Sequence, residues 1–144
     1  MSTTCSANPY DNDSNYIFIG RNASCDSGKI YLNLKSVKVQ EYNPPHYQIA
    51  GEFIEVLSSY VIPGDDTTIH YSTRPFYIVI KYNWDTKESF SKTISYMNER
   101  GNIVYKENAE FIKDYYDNPN YAKSVRQRAD SLFKAAYNMD FYGY

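Results

Sequence analysis

The stretch Phe76-Tyr77-Ile78-Val79-Ile80-Lys81-Tyr82 decides how the rest of the chain is read. Successive side chains of a strand point to opposite faces. Phe76, Ile78, Ile80 and Tyr82 therefore share one face, and Tyr77 and Val79 share the other. Apolar residues on both faces point to a central strand. Asp85-Thr86-Lys87 is a short connection. Ser89 to Tyr96 reads as the hairpin partner, with Phe90 and Ile94 on one face by alternation. Asn98-Glu99-Arg100-Gly101 is a second turn, with glycine where a positive φ is needed. Ile103-Val104-Tyr105 is a third strand. Strands joined in sequence by short turns make a β-meander.

Working back towards the N-terminus, Val37 and Val39 alternate with Ser36, Lys38 and Gln40, the period of a half-buried strand. Asn43-Pro44-Pro45 stops it, because proline cannot donate to a central ladder. Tyr47 to Val56 resumes as a strand, with Ile49, Gly51 and Phe53 on one side. A glycine in mid-strand predicts a bulge or a close contact. Tyr16 to Ile19 and Ile30 to Leu34 are two further short strands. Pro63-Gly64-Asp65-Asp66 is a turn-rich loop, and the stretch from there to Arg74 reads as irregular. Residues 1–15, rich in Ser, Thr, Asn and Asp, read as a flexible leader before a single domain over 16–144.

Towards the C-terminus the period changes. Asn118 can cap a helix and Pro119 suits its first position. Ala122, Val125, Ala129, Leu132, Phe133 and Ala136 then fall on one helical face. The opposite face carries Lys123, Arg126, Asp130 and Lys134, with Asp130 four residues from both Arg126 and Lys134 and so spaced to pair along the helix. Isolated helices of this length are marginal. The helix over about 119–137 is therefore expected to dock on the sheet through Val125, Ala129, Leu132 and Phe133. A second short helix is expected over about 108–115. The fold class is α+β: an antiparallel β-meander sheet packed against one C-terminal amphipathic helix.

Composition bounds what this domain can do. Of 144 residues, 17 are Tyr, 7 Phe and 1 Trp, too aromatic for a disordered chain. Tyrosine suits pleated strands and also contact surfaces, having an apolar body and a polar tip. The net charge of −2 lacks the basic footprint of a nucleic-acid binder. No apolar run is long enough to span a membrane. The first ten residues lack the basic and apolar regions of a signal peptide, which leaves a leader already removed as the expectation for a secreted chain.

Catalytic patterns are missing. His46 and His70 are not spaced to other ligands or carboxylates in a known pattern, and no nucleophile elbow, Walker or dinucleotide motif occurs. Nothing calls for a cofactor or a metal. Asp65-Asp66 reads as a solvated pair. Asn12-Asp13-Ser14 and Asn22-Ala23-Ser24 match the glycosylation triplet, which matters only in a eukaryotic secretory pathway. Cys5 and Cys25 form a disulfide if the compartment is oxidising, closing a loop of about 20 residues worth roughly 3 kcal/mol, and stay as two thiols otherwise. Two surfaces are candidates for binding: the aromatic set Tyr77, Tyr82 and Trp84 around the central hairpin, and the basic helix face of Lys123, Arg126, Arg128 and Lys134.

The run Ile30 to Val39, followed by Tyr42-Asn43-Pro44-Pro45-His46-Tyr47-Gln48-Ile49-Ala50, resembles a family of small secreted bacterial proteins of unknown function. So does the closing Ala135 to Tyr142. These are more distantly similar to the surface-adhesin protein E type. The resemblance implies an extracytoplasmic α+β domain, secreted or at the cell surface. It carries no catalytic residues across. The expected function is non-enzymatic binding of a protein or glycan, with self-association as a structural or accessory domain the first alternative and an enzyme with an unrecognised site around His46 or His70 the second. Contact is expected on the exposed face of the sheet.

Overall fold

The computed structural model describes residues 9–21, 28–60, 69–114 and 119–143. Its strands are β1 (Tyr16–Arg21), β2 (Lys29–Asn33), β3 (Lys38–Asn43), β4 (His46–Tyr60), β5 (Ile69–Asn83), β6 (Glu88–Met97), β7 (Ile103–Tyr105) and β8 (Ile112–Lys113), followed by one helix, α1 (Pro119–Tyr137). Every pairing is antiparallel, and the strands lie in the order β1-β2-β4-β5-β6-β7. β3 continues the edge of β4 beyond β2, and β8 continues the edge of β6 beyond β7. The expected meander and C-terminal helix are both present, with β5 near the middle of the sheet.

The long β4–β5 hairpin is the spine. It pairs without a register shift from His46↔Asn83 to Tyr60↔Ile69. Residues 69–74, read as irregular, are strand: Thr73 and Arg74 pair with Val56 and Glu55, and the strand formers Ile69, Tyr71 and Thr73 alternate there with His70, Ser72 and Arg74. One face buries Ile49, Phe53, Ile78, Ile80 and Tyr82 together with Ile30 and Leu32 of β2. Onto them α1 lays Val125, Ala129, Leu132 and Phe133, the residues expected to dock, all 4% exposed or less.

Gly51 allows the helix to sit that close. A Cβ there would stand 2.7 Å from Leu132 Cδ1 and 3.5 Å from Leu32 Cδ1. At the same point the edge of β4 changes partner from β2 to β3, through a 3-10 turn at Leu34–Ser36. Ser36 bridges the break: its hydroxyl donates to the Asn33 carbonyl at 2.6 Å and accepts from the Glu52 N–H at 2.7 Å. Backbone groups left without a ladder partner need such substitutes.

The chain beyond α1 folds back on it. The Asp130 carboxylate accepts three backbone N–H groups, from Phe141 (2.7 Å), Tyr142 (2.5 Å) and Gly143 (2.9 Å). The expected place of Asp130 on a solvated helix face is thereby corrected. The residue is 4% exposed and anchors the tail, while Lys134 reaches Asp140 at 3.8 Å. The tail delivers Phe141 into a ring cluster with Tyr82 (4.9 Å), Phe133 (5.3 Å) and Trp84 (5.7 Å).

Other expectations change as well. Residues 9–15 are docked: Tyr10 packs on Tyr16 and Tyr31, the Tyr31 hydroxyl donates to Asp11, and Asn15 bonds Asn33. They cover the reverse side of Tyr31, Ile54 and Val56. No helix forms over 108–114, because Ile112 and Lys113 pair with Ser91 and Phe90. β3 is exposed along its whole length, so of the two valines read as half-buried Val37, just before the strand, packs on the core and Val39 is 43% exposed. Cys5, Cys25, the loop at 63–66 and Asn22-Ala23-Ser24 lie outside the described residues.

Gly51→Ala should destabilise the fold by about 1–3 kcal/mol by overpacking. Leu132→Ala should cost about 2–5 kcal/mol through the cavity it leaves. Urea titration of the double variant should give less than the sum, because the two changes share one contact. Strict additivity would mean the two side chains do not meet. Asp130→Ala should cost about 2–4 kcal/mol, the N–H groups of the tail losing their acceptor. It should also shift the emission of Trp84, the single tryptophan, to the red as Phe141 leaves it.

Candidate functional site

The sheet does not bring Tyr77, Tyr82 and Trp84 together. Tyr82 lies under the helix, 2% exposed, with its hydroxyl donating to the Ala129 carbonyl at 2.6 Å. Burial, above all, holds that hydroxyl protonated well beyond the usual tyrosine range. Trp84 sits in the β5–β6 turn, stacked on Phe133 at 5.6 Å, with the Lys87 ammonium 2.9 Å from its ring centre. Both rings belong to the cluster that closes the C-terminal end of α1. Tyr77 alone of the three faces the side of the sheet away from the helix. As a shared contact surface the set is corrected: alternation had already placed Tyr77 and Tyr82 on opposite faces.

Tyr77 has different company. It pairs with Glu52 on β4 and with Ser95 on β6, and Ser95 pairs with Tyr105 on β7. Directly opposed residues point the same way, so Glu52, Tyr77, Ser95 and Tyr105 form one row across four strands. Adjacent strands are about 4.8 Å apart, which sets the two tyrosines about 9.5 Å apart with a serine between them. The result is a slot of about 380 Å³, lined also by Pro75, Ile94 and Ile103. Tyr105 is 72% and Ile103 43% exposed. Glu52 at the end of the row is held by Asn33, whose amide donates to it at 3.2 Å. A register shift between Tyr77 and Ile78 puts Ile94 at a bulge beside the slot. Ile103 and Tyr105 share a face by alternation. Nothing local to β7 says that this is also the face of Tyr77, since β6 with its bulge intervenes.

The helix side of β6 carries a buried polar network. The Asp114 carboxylate, 4% exposed, accepts from Ser89 Oγ at 2.5 Å and Ser91 Oγ at 2.9 Å through one oxygen, Oδ2. Ser89 Oγ also bonds the Tyr142 hydroxyl at 2.6 Å. Here a serine donates directly to a carboxylate, with no imidazole between them to take its proton. The network ties β8 and the C-terminal tail to β6. Of the expected basic helix face, Arg126 lies 5.2 Å from the Tyr142 ring centre and Arg128 6.0 Å from that of Phe76. Both are half-buried against aromatic rings, whereas Lys134 is exposed, so the four do not form one uniformly solvated charged surface. His46 is exposed beside the β3–β4 turn, opposite Asn83. Among the described residues no group of His, Cys, Asp and Glu is arranged to hold a metal ion, and no helix is long and apolar enough to cross a membrane.

Comparison with protein-family models, characterised proteins and solved structures found no match to this chain.

Burial raises the Asp114 pKa above its ordinary 3.8, against the lowering effects of the two serines, Arg128 and Arg126. The folded state thus holds this proton more tightly than the unfolded one. Stability from this group is present below 3.8 and is lost as pH rises through the raised folded value. Asp114→Asn should remove that fall. Urea midpoints measured against pH should converge for the two chains towards higher acidity after a constant offset is removed. Parallel profiles would show that the carboxyl titrates normally.

Proposed function

We propose that this domain is a non-enzymatic, extracytoplasmic binding module of the adhesion type, and that it holds a partner protein through the slot between Tyr77 and Tyr105. The slot is the observation that carries the reading. Two tyrosines stand on one sheet face with a small residue between them and apolar walls at Pro75, Ile94 and Ile103. Tyrosine is enriched among the anchors that dominate protein interfaces, because it offers a large area with few rotatable bonds. Ile103 and Tyr105 stay exposed on an outer strand, where burying them supports no part of the fold. The resemblance to secreted bacterial domains supports the same compartment.

Self-association through a sheet edge is the weaker reading. The open edge at β3 carries a register shift between Val39 and Glu41 and an exposed Lys38, both devices that discourage strand addition.

The test is binding of the full chain to a panel of immobilised cell-surface and matrix proteins, read by biolayer interferometry. Tyr77→Ala with Tyr105→Ala should lower affinity for any partner found by at least about tenfold, the scale of an interface anchor, and leave the unfolding free energy from urea titration within about 1 kcal/mol of the parent. Undiminished binding by the double variant would exclude the slot. Sedimentation velocity showing a dimer that the double variant breaks would favour self-association.

A further inference from the structure

A second concave region lies on the opposite, helix-bearing face. It consists of two cavities of about 420 and 400 Å³ that share Thr93, Lys106 and Arg128 in their walls. They form one trough between β6 and α1, in the size range of small-ligand sites. Its two ends differ in chemistry. The first brings Arg74 and Lys106 to Arg128, beside Phe76 and Tyr96, with Glu55 the single carboxylate among them. The second has Ser91, Asn108 and Asp114 over an apolar floor of Ile78 and Val125, with Lys92 and Glu110 at its wall. Asp114 Oδ2 is taken by the two serines, and Oδ1 has no partner among the described residues.

We infer that this trough is a ligand site for a short acidic saccharide. The sugar carboxylate lies among Arg74, Lys106 and Arg128, and the hydroxyls of the next ring meet Ser91, Asn108 and Asp114. Arg74, Lys92, Lys106 and Arg128 face Glu55, Glu110 and Asp114 over the whole trough, and the cationic excess lies at the first end, which favours a singly charged anion there. Glu55, which pairs with Arg74 across β4 and β5, limits that excess and disfavours a multiply charged phosphate. The aromatic faces are already engaged. Phe76 stacks on Phe53 at 5.6 Å and Lys106 lies 5.6 Å from the Tyr96 ring centre, so a nucleobase finds no free platform. A carboxylate, a serine hydroxyl and a primary amide at the far end are the groups that recognise vicinal hydroxyls, each able to accept or donate. The inference does not depend on the tyrosine slot, which opens on the other side of the sheet.

The experiment is calorimetric titration of the full chain with a hyaluronan tetrasaccharide, which carries uronates, alongside cellotetraose and adenosine monophosphate. The uronate-bearing probe should bind and the neutral one should bind at least tenfold more weakly. Raising the salt should weaken binding, as for any partly exposed charge contact. Lys106→Glu, at an exposed position, and Arg74→Gln should each reduce affinity about tenfold, with folding checked by circular dichroism. Tyr105→Ala should leave it unchanged. The proposal is overturned if no tetrasaccharide binds, if the neutral probe binds equally, if adenosine monophosphate binds as tightly, or if Tyr105→Ala rather than Lys106→Glu abolishes binding.

Discussion

The distance between Gly51 and Leu132 governs the rest of this structure. With only 2.7 Å between a would-be Cβ and the leucine methyl, the helix can approach the sheet there only over a bare backbone. That approach lets Ala129, another small residue, reach the Tyr82 hydroxyl through its carbonyl, and lets Phe133 enter the cluster of Tyr82, Trp84 and Phe141. It coincides with the break in the β2–β3 edge, where a bulky side chain would also crowd the Ser36 bridge, 3.7 Å away. Close packing of this kind leaves little room for volume changes on either partner.

Buried carboxylates fasten the C-terminal tail and β8 to this framework. Asp130 gathers three N–H groups of the tail, and Asp114 gathers two serines of β6. Tyr142 belongs to both arrangements, its N–H on Asp130 and its hydroxyl on Ser89. The helix, the tail and β8 are thus coupled through polar groups at the margin of an apolar core. Charged groups are tolerated there because several donors satisfy them at once.

The two faces of the sheet then diverge in character. The helix side is aromatic, closed at its C-terminal end and open as a charged trough at the other. Among the described residues, Tyr10 and Tyr16 cover the reverse side near β2, while Tyr105 at the far end of the row from Glu52 is exposed. A tyrosine-rich composition therefore divides into two populations. Tyr31 and Tyr82 are interior residues whose hydroxyls find partners, whereas Tyr105 keeps its ring in solvent.

The sequence by itself determined the elements that rest on local periodicity. These are the two-sided apolar run at Phe76–Tyr82, the turn at Asn98–Gly101, the helix from Pro119 to Tyr137 and the four side chains through which it docks. Each follows from where Cβ atoms point along a strand or helix, which needs no knowledge of neighbours. Only the tertiary structure decided the rest. The strand over 69–74, short of apolar residues, is fixed by its ladder with β4. Asp130, polar by helical position, is buried because a tail eleven residues on folds back to it. The row from Glu52 to Tyr105 exists only through the register of four strands, and one bulge in β6 is enough to change which residues share it. Periodicity tells which face a residue takes within its element. Register and return of the chain tell what that face meets, and those depend on contacts far apart in sequence.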